Sequence, residues 1–244
     1  MVGYSTRLVA LALIAASACA SKPAREASPT SSDCSPEADE HRPMGMRAHD
    51  EAHHGVYGGA AQWATRFDDP ARDAWQRPDD VIRALDLEPS MTVADVGAGT
   101  GYFAVRLARA VPEGKVIATD LEPDMVRYLE DRARREQLPN LRAIRATRTT
   151  SGLAPNSVDA LLIVHVWHHV AARSCYARDL AAALRPGGRL IVVEFRPDAQ
   201  KGPPRKLRLA PERVIADFVG VGLSATLSPI SLPDQYLIEV RRDP

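Results

Sequence analysis

From Pro78 onward the chain alternates short apolar runs with stretches in which apolar residues return every three or four positions. Short runs predict strands, and the longer period predicts helices that pack one face on them. Pro78 and Asp79 open a first helix whose stripe is Val81, Ile82 and Leu85, closed by Pro89. Thr92–Val96 reads as a strand, and beyond a glycine-rich loop Phe103, Leu107, Ala110 and Val111 recur at helical spacing until Pro112 and Gly114 stop them. Residues 115–119 form a second strand, and Pro123 is the first residue of a helix running to about Gln137. Residues 141–146 are a third strand. Residues 158–164 are almost continuously apolar, as a central strand covered on both faces requires. An alanine-rich helix over 171–184 leads through a turn at Arg185-Pro186-Gly187-Gly188 into a strand at 189–195. Val214 and Phe218 mark a short helix within 210–220, and residues 223–227 and 235–240 suit a strand pair. Strands alternating with helices in this order predict an α/β fold with helices on a largely parallel sheet.

The chemistry concentrates at the end of the first strand, in Asp95-Val96-Gly97-Ala98-Gly99-Thr100-Gly101. Glycines there let backbone turn tightly and approach a ligand, and the following helix start offers free N–H groups. A dinucleotide fingerprint would want its third glycine where Tyr102 stands, and the carboxylate of Asp95 would repel a pyrophosphate. The loop therefore suits a cofactor that carries positive charge and no phosphates. Asp120 closes the second strand, about 25 residues after Asp95, where a carboxylate can accept from both ribose hydroxyls.

The heptapeptide from Asp95 to Gly101 resembles motif I of the class I S-adenosylmethionine (SAM) methyltransferases, in particular those acting on quinones and other small molecules. Asp120 and the turn Leu184-Arg185-Pro186-Gly187-Gly188 before the fifth strand match the same family in the same order. The resemblance covers roughly residues 75–240 and implies a Rossmann-like, mostly parallel seven-stranded sheet with helices on both faces. It implies SAM as cofactor, cradled by Asp95, Gly97, Ala98, Gly99, Thr100 and Gly101. Asp120 then takes the ribose, and Leu121 and Met125 flank the adenine or serve the core. Many relatives place an acidic residue near Thr147 to meet the adenine amino group; here Thr147 or a backbone carbonyl takes that place.

The fourth strand runs into His165-Val166-Trp167-His168-His169, outside the carboxyl end of the sheet where an acceptor pocket lies in open α/β folds. The resemblance implies a histidine pair here. Methyl transfer is an in-line displacement for which a protein mainly positions the partners and excludes water. A histidine near the methyl can take the acceptor's proton, its ordinary pKa lying near 6.5. His165, His168 and His169 are the candidate catalytic residues, with strand-end capping as their structural alternative. The expected activity is methyl transfer to a small-molecule acceptor. The competing readings are a SAM-fold module without catalysis, anchored in the cell envelope, a nicotinamide-dependent oxidoreductase, and a histidine-based metal-binding protein.

Composition narrows the partners. The chain of 244 residues carries 31 Lys and Arg against 31 Asp and Glu, so nothing points to a polyanion or nucleic acid, and the arginines at 127–135 read as a solvated helical face. His49, Asp50, Glu51, His53 and His54 are dense but lack a ligand spacing; a polar segment is the simpler reading, and no metal is expected. Cys19, Cys34 and Cys175 show no Cys-x-x-Cys spacing, which predicts no disulfide framework, and Cys175 reads as a small residue within a helix.

Ahead of the domain at 78–244 the chain divides into three further parts. Residues 1–19 join Arg7, an apolar run and small residues before Cys19, too short for a membrane span and fit for a secretory signal. Ala16-Ser17-Ala18-Cys19 resembles a bacterial lipobox, which implies a lipid anchor at Cys19 on the periplasmic side of a membrane; an ordinary cleaved signal, or a true start at Met44 or Met46 and a cytoplasmic protein, are the alternatives. Residues 20–45 are Ser-, Pro- and Ala-rich and form a disordered tether. Residues 46–77 carry Trp63, Phe67 and Trp75 among Arg66, Asp68, Asp69 and Arg72, a cap segment that docks on the domain or folds over its mouth. The basic loop at 201–208 is solvated or guards substrate entry.

Overall fold

The computed structural model describes residues 59–244 together with Met1 and Cys34. The signal at 1–19 with Cys19, the alternative starts and the histidines at 49, 53 and 54 lie outside the described residues. Two short helices, α1 (Ala60–Phe67) and α2 (Arg72–Gln76), precede α3 (Pro78–Ala84), β1 (Thr92–Val96), α4 (Ala104–Ala110), β2 (Lys115–Asp120), α5 (Pro123–Arg135) and β3 (Leu141–Arg145). Then follow β4 (Val158–Val164), a single 3-10 turn at Trp167–His169, α6 (Arg173–Ala183), β5 (Leu184–Phe195), α7 (Pro211–Val219), β6 (Ser224–Leu227) and β7 (Gln235–Arg241). Pro78, Pro123 and Pro211 each open a helix, where a fixed φ helps and the missing N–H would have had no partner.

The seven strands form one sheet in the order β3-β2-β1-β4-β5-β7-β6. β1 to β5 pair in parallel, and β7 runs antiparallel to both β5 and β6. The pleat sorts alternate residues into two cores. Val93, Ala160, Leu162, Ile191 and Val193 face α3, α4 and α5 through Val81, Leu107 and Leu129. Ala94, Leu161, Ile163, Leu190 and Val192 face α6 and α7 through Leu180, Val214 and Phe218. Burial on both faces explains the unbroken apolar runs. The strand order reverses between β1 and β4, which opens a crevice outside their carboxyl ends.

Two expectations change. The turn expected at residues 185–188 is absorbed into β5: Val158 pairs with Leu184 but Ala160 already pairs with Arg189, so the Pro-Gly-Gly stretch is an irregularity in a continuous strand. The cysteines, expected to be unpaired, include a disulfide between Cys34 and Cys175 with Cα atoms 5.4 Å apart. It pins a residue of the expected tether to the buried face of α6, where Arg178 Nη1 also donates to Cys34 Sγ at 3.3 Å. Pairing across 141 positions leaves no local spacing to read. Among the described residues no helix is long and apolar enough to cross a membrane.

Candidate active site

A cavity of about 740 Å³ occupies the crevice, a size within the roughly 300–1,000 Å³ of small-molecule sites. Its floor is the loop after β1. Gly97 N and Ala98 N donate to Thr119 O at 2.8 and 3.0 Å, tying the loop to the end of β2. Gly97 has φ 71°, and a Cβ there would stand 2.4 Å from Val166 Cγ2, so this position admits no side chain. Gly101, at φ 94°, would push a Cβ to 2.7 Å from Leu129 Cδ2. Asp95, Gly97, Ala98, Gly99, Thr100, Asp120, Leu121 and Thr147 all line the cavity, whereas Gly101 lies behind it and serves the packing of the loop on α5.

Asp95 and Asp120 make this end acidic. Asp95 is buried and its Oδ2 has no protein partner. Burial pushes its carboxyl up to about 7; Arg72 opposes the shift and Asp120 adds to it. Asp120 Oδ2 accepts from Gly99 N at 2.8 Å and Oδ1 from Glu122 N at 2.9 Å, so one lone pair on each oxygen remains for ribose hydroxyls. Burial raises this carboxyl as well, against those N–H donors. Met125 and Ala146 supply apolar wall beside Leu121. Thr147 Oγ1 is taken up in its own turn, accepting from Thr150 N at 2.9 Å. A buried orphan carboxylate oxygen, a loop that excludes side chains and an acidic wall fit a cationic, ribose-bearing cofactor.

The cap covers the other end. Trp63, Phe67 and Trp75 line the cavity, with Lys201 and Pro203 from the basic loop. Asp68 pairs with Arg132 Nη1 at 2.9 Å, the same atom that donates to Thr100 O at 2.9 Å. Asp73 meets Arg106 at 2.9 Å and accepts from Tyr102 Oη. The cap therefore docks by its charges and presents its aromatics to the cavity.

All three candidate histidines line the cavity, in different settings. His168 Nδ1 lies 2.8 Å from Glu194 Oε2, and Glu194 Oε1 accepts from His168 N at 3.2 Å. With side-chain exposures of 4% and 1%, the pair is held away from water. A carboxylate only accepts, so His168 carries its proton on Nδ1 and keeps the Nε2 lone pair. His169 packs against His168 with the rings tilted by 38° and centroids 4.1 Å apart. His165 packs on Phe195 at 4.3 Å and beside Trp75 at 6.1 Å, with those two rings 6.0 Å from each other, and accepts from Gln235. Between them Trp167 is core: its Nε1 donates to Asp217 Oδ2 at 3.0 Å and its ring stacks on Phe218 at 4.7 Å. Glu194 escapes the sequence reading, although an acid inside the buried apolar run of β5 is its signal. Gln76 and Gln235 leave no comparable mark. Among the described residues no group of acidic, histidine or cysteine side chains could hold a metal.

Sheet order, switch-point cavity and glycine loop together are those of the class I methyltransferase fold. Residues 93–188 match the family model described as a methyltransferase domain. The chain is 30% identical to a demethylmenaquinone methyltransferase of Tropheryma whipplei over 172 residues, 69% of this chain and 65% of that one. It is 35% identical to an uncharacterized methyltransferase of Mycobacterium bovis over 130 residues, 53% and 50% of the two. It thus spans between half and two thirds of these curated relatives. A SAM-dependent methyltransferase from Aquifex aeolicus shares the fold, with TM-score 0.68 and 22% identity over 74% of this chain and 97% of that one.

Proposed function

We propose that this chain transfers a methyl group from SAM to a small planar acceptor bound beneath the cap, with His168 taking the acceptor's proton. The observation that carries this reading is the buried His168–Glu194 pair at the cavity that also holds the glycine loop. When bound, SAM supplies an electrophilic methyl on a sulfonium. Asp95 and the loop hold its cationic end, and Asp120 holds the ribose. Trp63, Phe67 and Trp75 exclude water and offer flat faces to the acceptor. His168 Nε2 removes a proton from an acceptor hydroxyl or activated carbon, and Glu194 steadies the imidazolium that results. The relative named as a demethylmenaquinone methyltransferase makes a hydroquinone the first acceptor to test. A base pair aimed at the cavity favours catalysis over an inert envelope module.

Isothermal titration of the full chain with SAM tests the reading. Saturable binding is expected, and it strengthens as pH rises through about 7. The sign follows from Asp95: its raised carboxyl is neutral below that pH and becomes an anion for the cationic cofactor above it. Asp120→Ala weakens binding at least about tenfold, the worth of one charged hydrogen bond of ~1.5–3 kcal/mol. Absence of binding at millimolar cofactor sinks the proposal.

We also propose that residues 1–19 direct export and that Cys19 carries the lipid. The Cys34–Cys175 disulfide supports this, because such bonds persist in oxidising compartments. Labelled palmitate enters the full chain and is lost in Cys19→Ala; label-free wild type points instead to an ordinary cleaved signal or to a cytoplasmic protein begun at Met44 or Met46.

A further inference from the structure

We infer that His165 is a fixed hydrogen-bond donor toward the acceptor, its polarity set by a chain of side chains that begins in the cap, and that the acceptor presents an oxygen lone pair to it. The inference rests on the proposed function for what it says of the acceptor. The polarity of the chain stands without it.

The chain of hydrogen bonds starts at Arg72, which can only donate. Its guanidinium is held over the Tyr102 ring, 3.9 Å from the centroid, and Nη2 and Nε reach Gln76 Oε1 at 3.2 and 3.4 Å. The carbonyl end of Gln76 is thereby fixed, and its amide end must face away. Gln76 Nε2 donates to Gln235 Oε1 at 2.8 Å, which fixes Gln235 in turn and leaves its amide nitrogen for His165. A donor facing His165 Nε2 requires a lone pair there. The ring is therefore neutral, with its proton on Nδ1. Gln76 is 0% exposed and Gln235 1%, so water cannot substitute at either link, and a reversed amide would set donor against donor.

This separates the histidines. The lone pair of His165 is occupied, so His165 cannot serve as a base without breaking the chain; His168 keeps its Nε2 free. Among the described residues His165 has no second side-chain hydrogen bond, and its ring packs in one cluster with Phe195 and Trp75. What it offers the cavity is Nδ1–H. Its φ of 58° is a left-handed conformation that a non-glycine residue adopts at a cost, and the chain holds it there. Burial, Arg72, His168 and His169 all oppose a charge on the ring and keep its pKa well below the ordinary value; Lys201 above Trp75 adds a further cation nearby. A donor set beside aromatic rings suits a planar molecule with a carbonyl or phenolic oxygen at its edge.

The test reads the tautomer directly, in cofactor-free full chain labelled with ¹⁵N-histidine, the signal being assigned by its loss in His165→Asn. The expected spectrum shows Nδ1–H with an unprotonated Nε2, unchanged as pH falls through 6.5. Gln235→Leu releases the ring, so that the Nε2–H form appears or the ring titrates within the measured range. An Nε2–H tautomer in the wild type, titration near pH 6.5, or a spectrum unchanged by Gln235→Leu overturns the chain. For the acceptor, menadione, which carries two carbonyl oxygens, shifts the Nδ1–H signal, and 2-methylnaphthalene does not. Equal shifts or none overturn the acceptor part. Neither arm depends on turnover, so failure of the enzyme reading is told apart by the titration with SAM.

Discussion

His168→Gln lowers the rate of methyl transfer by roughly 10²- to 10⁴-fold, the range over which a positioned general base acts, while SAM affinity stays within about twofold. The asymmetry comes from the site's division. His168 and Glu194 stand at the end of β4 and β5, and the cofactor residues Asp95 and Asp120 stand at the ends of β1 and β2. Glu194→Gln keeps the volume but removes the charge that steadies a protonated ring. It also forces one amide to serve both His168 N–H and Nδ1–H, which two carboxylate oxygens now accept. Its expected loss is about 10- to 100-fold, because positioning weakens but the base remains. Single-turnover transfer of labelled methyl from SAM to a hydroquinone reads both. Rates within threefold of wild type for His168→Gln exclude it as the base.

The second large effect falls on stability. Closing a loop of 141 positions removes unfolded-state entropy worth up to about 5 kcal/mol, and measured native disulfides span about 2–5 kcal/mol. Cys34→Ser is the better probe than a change at Cys175, which is buried in α6 and would disturb packing too. We expect its unfolding free energy in water, extrapolated from urea, to fall by an amount within that range and its midpoint to fall with it, and reduction of the wild type to reproduce the fall. Protein recovered from cells should expose neither thiol to alkylation before reduction. Free thiols at both positions, or an unmoved midpoint in Cys34→Ser, reject the cross-link.

Most of the fold is legible because both sheet faces are covered. Residues 160–164 had to read as an unbroken apolar run, and Gly97 after β1 marks a backbone that must pass close to Val166. Asp120 is legible from its place at a strand end. What stays hidden depends on pairing across the chain. Cys34 and Cys175 carry no mutual spacing. The irregularity at residues 185–188 depends on how β5 meets β4, and a Pro-Gly-Gly stretch announces a turn just as well. The histidines could be found but not told apart, since their roles are set by Glu194 and Gln235, on strands that come later in the chain.

The position of β7 in the sheet has a consequence for the order of assembly. It follows the other six strands in the chain, yet it lies inside the sheet, between β5 and β6, and buries Tyr236, Leu237, Ile238 and Val240. During synthesis the edge strand β6 emerges with no neighbour to hold it, and the far side of β5 stays open until β7 slides between them. Gln235 arrives on that strand. The five parallel strands, the glycine loop and all three histidines thus exist before the residue that fixes His165 does, and the cavity acquires its final polarity only as the sheet closes.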